Sequence, residues 1–581
     1  MIKIHKLQTK NTISIDNPCT NVIKYIQRGY GFRKFVKGLV YLMLKNIKRP
    51  FLFVLAIVML ASMIALPAGM AEESTQFANG ETLVVYYTLS AAAATKYNSY
   101  DEHPAVLLME EYTGLDLQFV HPPQDDDGTY FSSVVASGMW PDLWKADFSL
   151  YPGDVDGAIA DGLIVNINDY VNAETAPNWF KYYDALDENG KKNFVNDSGV
   201  YTKLGVSLDP EEILNGEQHT GPIVRKDALD ALGIESPTTL DEFTAMLYAL
   251  KDAGYETPLG LYKFSEWDAY NSNFIAGAFG VMLDSTKGFT VDEEGNAHYS
   301  QSSEGWKEFL TYLNGLYNDG IIDRDFVNRT EADTKKLLYN GTVACMAVGN
   351  WETQEVNLLG KTADENFDIA GIRMPRKDAD APYIYGNRRE QATDANNGWQ
   401  ISTTCKNPEL AVKFIDFLYS DYGLELTNYG PQEYDGHVIW TQDEDGTYVF
   451  SDYMLNNPEV AFNTIRSWYS IDNMQSIYHA DYQKMQYDAD ICWQCWEAWG
   501  YNVDNSGHIP VGISLTADES NEVVKKMDSI KTYADEMTYK FILGEASLET
   551  EWDAYVATIQ DMGIADVEAI YTTATARYNA R

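Results

Sequence analysis

Tryptophan and tyrosine supply the most distinctive side-chain chemistry of this sequence, with 13 Trp and 40 Tyr among 581 residues. Both side chains combine a flat apolar face with a polar tip, so they suit stacking on sugar rings as well as ordinary core packing. Four of them are candidate ligand-stacking residues: Trp351, Trp144 and Tyr87, which stand beside the ends of predicted strands, and Trp399, which follows the run Asn396-Asn397-Gly398. Core packing stays open for each of the four, because large aromatic side chains are usually buried.

Polar side chains that could bind the hydroxyl rim of a sugar lie close to these aromatic residues. Asn350 follows a predicted apolar strand, and Asp147 comes just after the predicted third strand. Arg388, Arg389 and Glu390 form a charged cluster that could bind hydroxyls in pairs or recognise an acidic sugar. A solvated salt bridge between two parts of the chain is an equally open interpretation of that cluster.

The sequence patterns of common enzyme classes do not occur in this chain. It has no GxSxG, HExxH or P-loop sequence, and its eight His are scattered. A glycosidase needs two carboxylates, and 86 acidic residues could supply a pair by chance, but no spacing singles one out. The acidic runs Asp292–Gly295 and Asp443–Gly446 predict hairpin turns, since neither continues into a calcium-binding loop. We therefore predict no catalytic residue, no metal and no cofactor.

The spacing of two cysteines gives one further candidate functional pair. Cys492 and Cys495 have the spacing of a redox or metal-binding pair, but no second pair or His cluster completes a metal site. Packing or a local disulfide is the favoured interpretation.

The first 71 residues differ in charge from all that follows. Residues 1–50 contain eleven Lys or Arg and one acid, and residues 51–71 are uncharged and run into Gly69-Met70-Ala71. This pattern predicts a secretory signal peptide cleaved after the small residues, with an uncleaved anchor and a start at Met43 as open alternatives. No Cys follows the apolar run, so a lipid-attachment residue is not found there. The remaining chain has 32 basic and 85 acidic residues, which argues against nucleic acid or anionic lipid as partners.

Strand and helix patterns alternate after residue 80. Thr82–Leu89 and Leu115–Val120 predict strands, with a helix over Pro104–Thr113 between them. A helix over Tyr130–Ser137 precedes a short strand beginning near Pro141. Such alternation predicts a parallel sheet with helices on its faces, in which ligands bind at the carboxyl ends of the strands. The length exceeds what one hydrophobic core organises, so two or more lobes are expected.

Several of these segments occur in an order that resembles a known family. The chain is similar to the family 1 extracellular solute-binding proteins, relatives of the maltose-binding protein, and within them to a long branch typical of Gram-positive and gut bacteria. The resemblance covers nearly the whole chain after the signal and is carried by Ser137–Leu143, Ala160–Asn168, Arg225–Gly233, Pro237–Phe243, Asn340–Trp351, Asn397–Ser402, Asn407–Lys413, Asp518–Tyr533 and Lys540–Gly544. The stretch Tyr429–Gly436 departs from a Gly-x-Glu-Gly pattern that relatives often carry.

The resemblance implies an α/β, two-lobed periplasmic-binding-protein fold (class II-like), with a ligand cleft between hinge-linked lobes. It also implies a stacking role for Trp351. The expected boundaries are a linker at 72–80, a first lobe at 81–222 with a return segment at 368–397, and a second lobe at 223–367 and 398–581. The implied function is that of an exported, monomeric receptor of an ABC importer, which binds a sugar or oligosaccharide and delivers it to membrane permease subunits. It would act outside the cell membrane or in the periplasm. A sensor acting with a signalling partner and, less favoured, a carbohydrate-active enzyme are the alternatives.

Overall fold

The computed structural model describes residues 76–123, 128–205, 220–264, 269–281, 288–384, 398–444, 446–457, 459–471, 474, 490–504, 506–510 and 512–581. The predicted signal peptide, its cleavage site and the possible start at Met43 therefore lie outside the described residues. Among the described helices, none combines the length and the apolar composition needed to span a membrane.

The strands are short and the helices vary widely in length. The strands are β1 Thr82–Tyr86, β2 Asp116–Val120, β3 Leu143–Lys145, β4 Thr220–Arg225, β5 Leu259–Gly260, β6 Phe289–Val291, β7 Ala297–Tyr299, β8 Cys345–Gly349, β9 Ile369–Gly371, β10 Tyr383–Ile384, β11 Trp399–Ile401, β12 Glu433–Tyr434, β13 His437–Val438, β14 Trp440–Gln442, β15 Tyr448–Phe450 and β16 Val503–Asp504. The α-helices are Ala91–Ala94, Pro104–Thr113, Thr129–Ser137, Asp154–Ala160, Pro177–Ala185, Glu188–Lys192, Lys226–Leu232, Leu240–Asp252, Ala269–Ala276, Glu304–Asn318, Glu331–Tyr339, Thr353–Ala363, Pro408–Leu418, Asp421–Asn428, Asp452–Leu455, Phe462–Arg466, Asp490–Trp499, Ala517–Leu543, Trp552–Asp561 and Ile564–Asn579.

The first sheet has the strand order β11-β3-β1-β2. Strand β1 runs parallel to both β2 and β3, and β11 closes the edge antiparallel to β3. The parallel core was expected from the alternation of strands and helices, because parallel neighbours need a crossover helix between them. The carboxyl ends of β1, β2 and β3 consequently share one edge with the start of β11.

The second sheet has the order β5-β8-β4-β9 and mixed strand directions. Strand β4 is antiparallel to β8 and to β9, whereas β5 and β8 are parallel. Strands β4 and β8 are buried along their whole length, as expected for central strands that are covered on both faces.

Each sheet is surrounded by its own hydrophobic core. The first core includes Val85, Leu143 and Phe414, and the second includes Ile223, Val348 and Phe309. The first core is formed by side chains from residues 76–205 and 398–474. The second core is formed by side chains from residues 220–384 and 490–581. This is the two-lobed α/β architecture expected from the sequence.

The course of the chain differs from the expected lobe boundaries. Residues 368–397 were expected in the first lobe, but β9 (Ile369–Gly371) pairs with β4 in the second sheet. Residues 398–581 were expected in the second lobe, but β11 (Trp399–Ile401) pairs with β3 in the first. The apolar pattern of a short strand indicates that it is buried, yet it does not specify the partner strand, and this is why the return segment was misplaced.

Local sequence signals account for several element ends. The helix Pro104–Thr113 ends at Gly114, which takes a φ of 79°, and Thr129–Ser137 ends at Gly138 with a φ of 69°. Both values are in the left-handed region that favours glycine. Thr239 and Glu242 form a reciprocal capping box at the start of Leu240–Asp252. The hairpins predicted around Asp292 and Asp443 are confirmed as β6–β7 and β14–β15.

Two arginines near the end of the last helix join the lobes. Arg577 of the second lobe donates to Asp197 of the first lobe (2.7 Å) and also to Glu519 (2.7 Å). Arg581 donates to the same Asp197 (2.7 Å) and to the carbonyl oxygen of Val195 (2.6 Å). A carboxylate shared by two guanidinium groups gives strong, directional hydrogen bonds, so this cluster fixes one contact between the lobes.

Candidate ligand-binding site

The carboxyl edge of the first sheet collects four of the predicted site residues. Tyr87 follows β1, Trp144 lies in β3, and Asp147 comes two residues after β3. Trp399 begins β11 and is paired in register with Lys145 at the end of β3. Because β1 and β3 are parallel and β11 returns against β3, these positions meet at one edge, where open α/β sheets bind ligands.

Trp144 is fully buried in an aromatic core at this edge. Its indole N–H donates to the Ser402 hydroxyl oxygen at 2.7 Å, and its ring lies 5.2 Å from Tyr86, 5.6 Å from Phe131 and 6.0 Å from Phe148. The side chain thus has both its apolar faces and its polar tip occupied by protein groups. In this conformation Trp144 supports the edge and offers no surface to a ligand.

Trp399 is also fully buried, but its indole N–H is less well hydrogen-bonded than that of Trp144. Its ring packs against Phe414 at 6.3 Å, and the Lys145 Nζ lies 5.5 Å from its centroid. The indole N–H has no hydrogen-bond partner within the described part of the chain. A buried donor without a partner costs about 1–3 kcal/mol, so this N–H is an unsatisfied group at the sheet edge.

Tyr87 and Asp147 have local structural contacts. Tyr87 is 7% exposed and stacks on Tyr100 with 5.4 Å between the ring centroids. The Asp147 carboxylate accepts the backbone N–H of Ser149 at 2.9 Å and so caps the short 3-10 turn Phe148–Leu150. Asp147 remains partly exposed, which leaves its second carboxylate oxygen accessible.

The carboxyl end of β8 supplies the matching edge of the second sheet. Asn350 directly follows β8 and is completely buried, and neither its amide nitrogen nor its amide oxygen has a hydrogen-bond partner among the described residues. The neighbouring Glu352 accepts from the Gly349 N–H (3.1 Å) and from Lys335 (2.6 Å). Burial raises the pKa of Glu352, and Lys335 opposes that shift. This ion pair fixes the turn that carries Asn350.

Three predicted residues cannot be placed. The side chain of Trp351 and all of Arg388 and Glu390 lie outside the described residues. Their proposed binding roles stay predictions, as do those of the four aromatic and acidic residues at the first edge.

A second group of aromatic residues at the first edge was not predicted from the sequence. Lys96 lies just beyond β1 and places its ammonium nitrogen 4.8 Å from the ring centroid of Trp468, 4.8 Å from that of Tyr469 and 5.6 Å from that of Tyr97. We call these four residues the Lys96 cage. Partial burial lowers the pKa of Lys96, and the charge of Asp435 opposes that shift. No sequence motif indicates the cage, because Trp468 is 372 positions away from Lys96 in the sequence.

Other residues singled out in the sequence have structural roles. The Asp142 carboxylate accepts the Val84 N–H at 2.9 Å and so joins β3 to β1. Arg225 donates to Asp227 through two nitrogens, at 2.8 and 2.6 Å, and to Asp364 at 3.0 Å. These contacts give Asp142, Arg225 and Asp227 structural roles.

The cysteines pack as free thiols in the described chain. Cys345, Cys405, Cys492 and Cys495 are all buried and unpaired by disulfides. The Cys492 sulfur lies 3.1 Å from the Thr353 hydroxyl, and burial raises the pKa values of Cys492 and Cys495. Within the described ranges, no group of three or more His, Cys, Asp or Glu residues could hold a metal ion.

Comparison with known proteins identifies the family of this two-lobed chain. The sequence profile of the bacterial extracellular solute-binding proteins matches residues 80–423. The chain belongs to this family. Solute-binding proteins of known structure share its fold at low sequence identity. An HMO-binding, ABC-transporter-associated solute-binding protein from Bifidobacterium longum infantis has a TM-score of 0.69 and 16% identity, covering 86% of this chain and 99% of its own. The alginate-binding protein AlgQ2 has a TM-score of 0.66 and 18% identity over the same shares.

Two curated solute-binding proteins match most of the sequence. The polygalacturonan/rhamnogalacturonan-binding protein YtcQ of Bacillus subtilis is 22% identical over 79% of this chain and 85% of its own length. The fructooligosaccharide ABC transporter substrate-binding protein FusA of Streptococcus pneumoniae is 21% identical over 80% of this chain and 84% of its own length. Both matches extend through each of the two lobes.

Proposed function

We propose that this solute-binding protein binds an oligosaccharide between its two lobes and delivers it to the membrane permease of an ABC importer. The observation that carries the proposal is the pair of matches to carbohydrate-binding proteins over about four fifths of the chain. The aromatic and polar residues at the edges of the two sheets support it, since sugars require apolar faces together with planar hydrogen-bonding groups.

The unpaired buried groups fit a ligand that arrives between the lobes. The Trp399 N–H at the first edge and the Asn350 amide at the second have no partner among the described residues. Sugar hydroxyls both donate and accept, so they can satisfy an N–H and an amide at once. In this proposal, the ligand supplies free energy for lobe closure because these groups are paired only when it is bound.

The protein acts outside the cytoplasm in this proposal, because its family is extracellular and its first 71 residues have the pattern of an export signal. Its partners are then the permease subunits, and a monomer is sufficient for this task. We propose a binding role without turnover, as in the relatives.

The first test is a thermal-shift screen of the purified protein against neutral and acidic oligosaccharides of two to six units. A ligand at 100 times its Kd stabilises the folded state by about 2.7 kcal/mol, which raises Tm by several degrees. Chromatography of the same mixtures after prolonged incubation tests for an enzyme. Unchanged oligosaccharides and a raised Tm support the receptor function, whereas released products or the lack of any Tm shift across the panel contradict it.

The second test uses one pair of matched variants. Asn350→Leu removes the unpaired amide at the second sheet edge, and Asn314→Leu removes an amide of the same lobe that is already satisfied by the carbonyl oxygens of Phe541 and Ile542. We expect titration calorimetry to show about tenfold weaker binding for Asn350→Leu, the loss of about one hydrogen-bonded group. Asn314→Leu should lower stability and leave Kd unchanged. Equal Kd values for both variants would remove Asn350 from the site.

A further inference from the structure

The Lys96 cage lies where the proposed function requires a ligand-binding surface. Lys96 comes after the carboxyl end of β1 and the short helix Ala91–Ala94. The carboxyl end of β1 forms the ligand-binding edge of the first sheet together with the ends of β2 and β3. The cage therefore belongs to the same edge as Tyr87 and Trp399.

Hydrogen bonds hold the walls of the cage in place. The Tyr97 hydroxyl donates to the Trp468 carbonyl oxygen at 2.9 Å, and the Trp468 indole N–H donates to the Thr95 hydroxyl oxygen at 2.9 Å. The Tyr469 hydroxyl lies 3.1 Å from that of Tyr453. The rings keep these positions without a ligand, so a ligand pays little ordering entropy on arrival.

The ammonium group of Lys96 contacts aromatic rings. Over the described part of the chain no carboxylate forms a salt bridge with it. Lys335, by comparison, is paired with both Glu331 and Glu352.

The groups that face Lys96 are neutral rings, a neutral imidazole and one exposed acid. The rings of Trp468 and Tyr469 are neutral, and the buried imidazole of His103 has its pKa lowered to about 3 and is therefore uncharged near neutral pH. Asp435 is the acid whose charge acts on Lys96. It lies in the exposed turn between β12 and β13 with a φ of 51°, in the left-handed region that is uncommon for a residue other than glycine.

We propose that Lys96 and Trp468 recognise an acidic oligosaccharide, in which a sugar ring stacks on the partly exposed Trp468 and its uronate carboxylate binds the Lys96 ammonium group. This inference rests on the proposed function and specifies its ligand class. An aromatic face binds the apolar side of the ring, and the adjacent cation distinguishes a carboxylate from the hydroxymethyl group of a neutral sugar. A neutral sugar gains the stacking contact without the charge-assisted hydrogen bond.

The test compares trigalacturonate with its methyl ester, which has the same rings and hydroxyls but no charge. Titration calorimetry of the purified protein should give at least tenfold tighter binding for the acid, and raising NaCl from 50 to 500 mM should weaken acid binding and leave ester binding unchanged. Lys96→Gln should remove the preference for the acid. The matched control is Lys191→Gln, which removes another lysine that lies over a ring, 5.8 Å from the centroid of Tyr183, and should leave both Kd values unchanged.

The same measurements separate the two proposals. Equal binding of acid and ester, or an undiminished acid preference in Lys96→Gln, would overturn the role of Lys96 while oligosaccharide binding itself stands. Binding of neutral trisaccharides in preference to every uronate trimer in a galacturonate, mannuronate and guluronate panel would overturn the acidic ligand class. The lack of binding for all neutral and acidic oligosaccharides would contradict the proposed function as well. Unchanged circular dichroism of the unliganded variants confirms that they are folded.

Discussion

The first lobe contains two aromatic groups that differ in what their polar atoms contact. Around Trp144, the rings of Tyr86, Phe131 and Phe148 close completely and the indole N–H is paired with Ser402. Around Lys96, the rings hold a cation, and Trp468 is partly exposed. Aromatic density is similar in the two places. The difference lies in exposure and in an unpaired charge, so those two features, and not the presence of tryptophan, distinguish a binding surface from a core.

The largest expected effect is on stability, and it tests the closed group. Trp144→Ala should lower the free energy of unfolding by about 3–5 kcal/mol, because it leaves a cavity in a core that cannot collapse around it. Urea denaturation followed by circular dichroism measures this loss. Trp468→Ala is the matched change in the open group and should cost less stability, since this side chain is already partly exposed. Similar losses for the two variants would contradict the distinction between a core and a surface.

The next effect concerns the pH dependence of the wall behind the cage. His103 is buried against Tyr97 and Tyr100, accepts the Ala105 N–H at Nδ1 and contacts the Ser467 carbonyl oxygen through Nε2. Burial lowers its pKa to about 3, below the value of about 6.5 in an unfolded chain. The folded state therefore binds fewer protons, and its stability is retained above pH 6.5 and lost as pH falls toward 3.

This linkage predicts a loss of about 2 kcal/mol from His103 between pH 6.5 and pH 5, at about 1.4 kcal/mol per pH unit. Denaturant unfolding of the protein and of His103→Asn across pH 5 to 8 isolates the contribution, because Asn keeps an acceptor for the Ala105 N–H and does not titrate in this range. Between pH 6.5 and pH 5, the free energy of unfolding of the variant should fall by about 2 kcal/mol less than that of the unchanged protein. Parallel curves would show that His103 is not held neutral.

The smallest effect concerns binding at the open group. Trp468→Ala should weaken binding of the best oligosaccharide by about tenfold, since the loss of one stacking ring costs on the order of 1–2 kcal/mol. Titration calorimetry measures the change, and Trp468→Phe, which keeps an aromatic face, should recover most of the affinity. An unchanged Kd in Trp468→Ala would show that the ligand binds away from the cage. The open group would then not be a binding surface.

The sequence predicted the elements of the fold better than their partners. The helices predicted over Pro104–Thr113 and Tyr130–Ser137 are present, each ended by a glycine that directly follows it, and Thr239 and Glu242, three positions apart, cap a third helix. These signals are local, so a single sequence contains them. The pairing of β11 with β3 joins residues more than 250 positions apart, and no local pattern encodes it.

The site was predictable only at the level of its sheet edges. Trp144 was expected near the end of the third strand and lies in β3, whereas Trp399 had no predicted strand and begins β11. Sequence alone could not tell that both rings are completely buried. The cage was missed for the same reason, since Lys96 and Trp468 meet only through the tertiary fold. Residue type indicates what a side chain can do, and its exposure, which depends on distant segments, decides whether it does so.

The buried free thiols have a practical consequence for measuring lobe movement. Burial raises the pKa values of Cys345, Cys405, Cys492 and Cys495, and a buried thiol with little thiolate reacts slowly with maleimide dyes near neutral pH. One cysteine introduced on the exposed surface of each lobe could therefore be labelled without first replacing these four. Fluorescence energy transfer between the two dyes would then follow the distance between the lobes as each sugar is added.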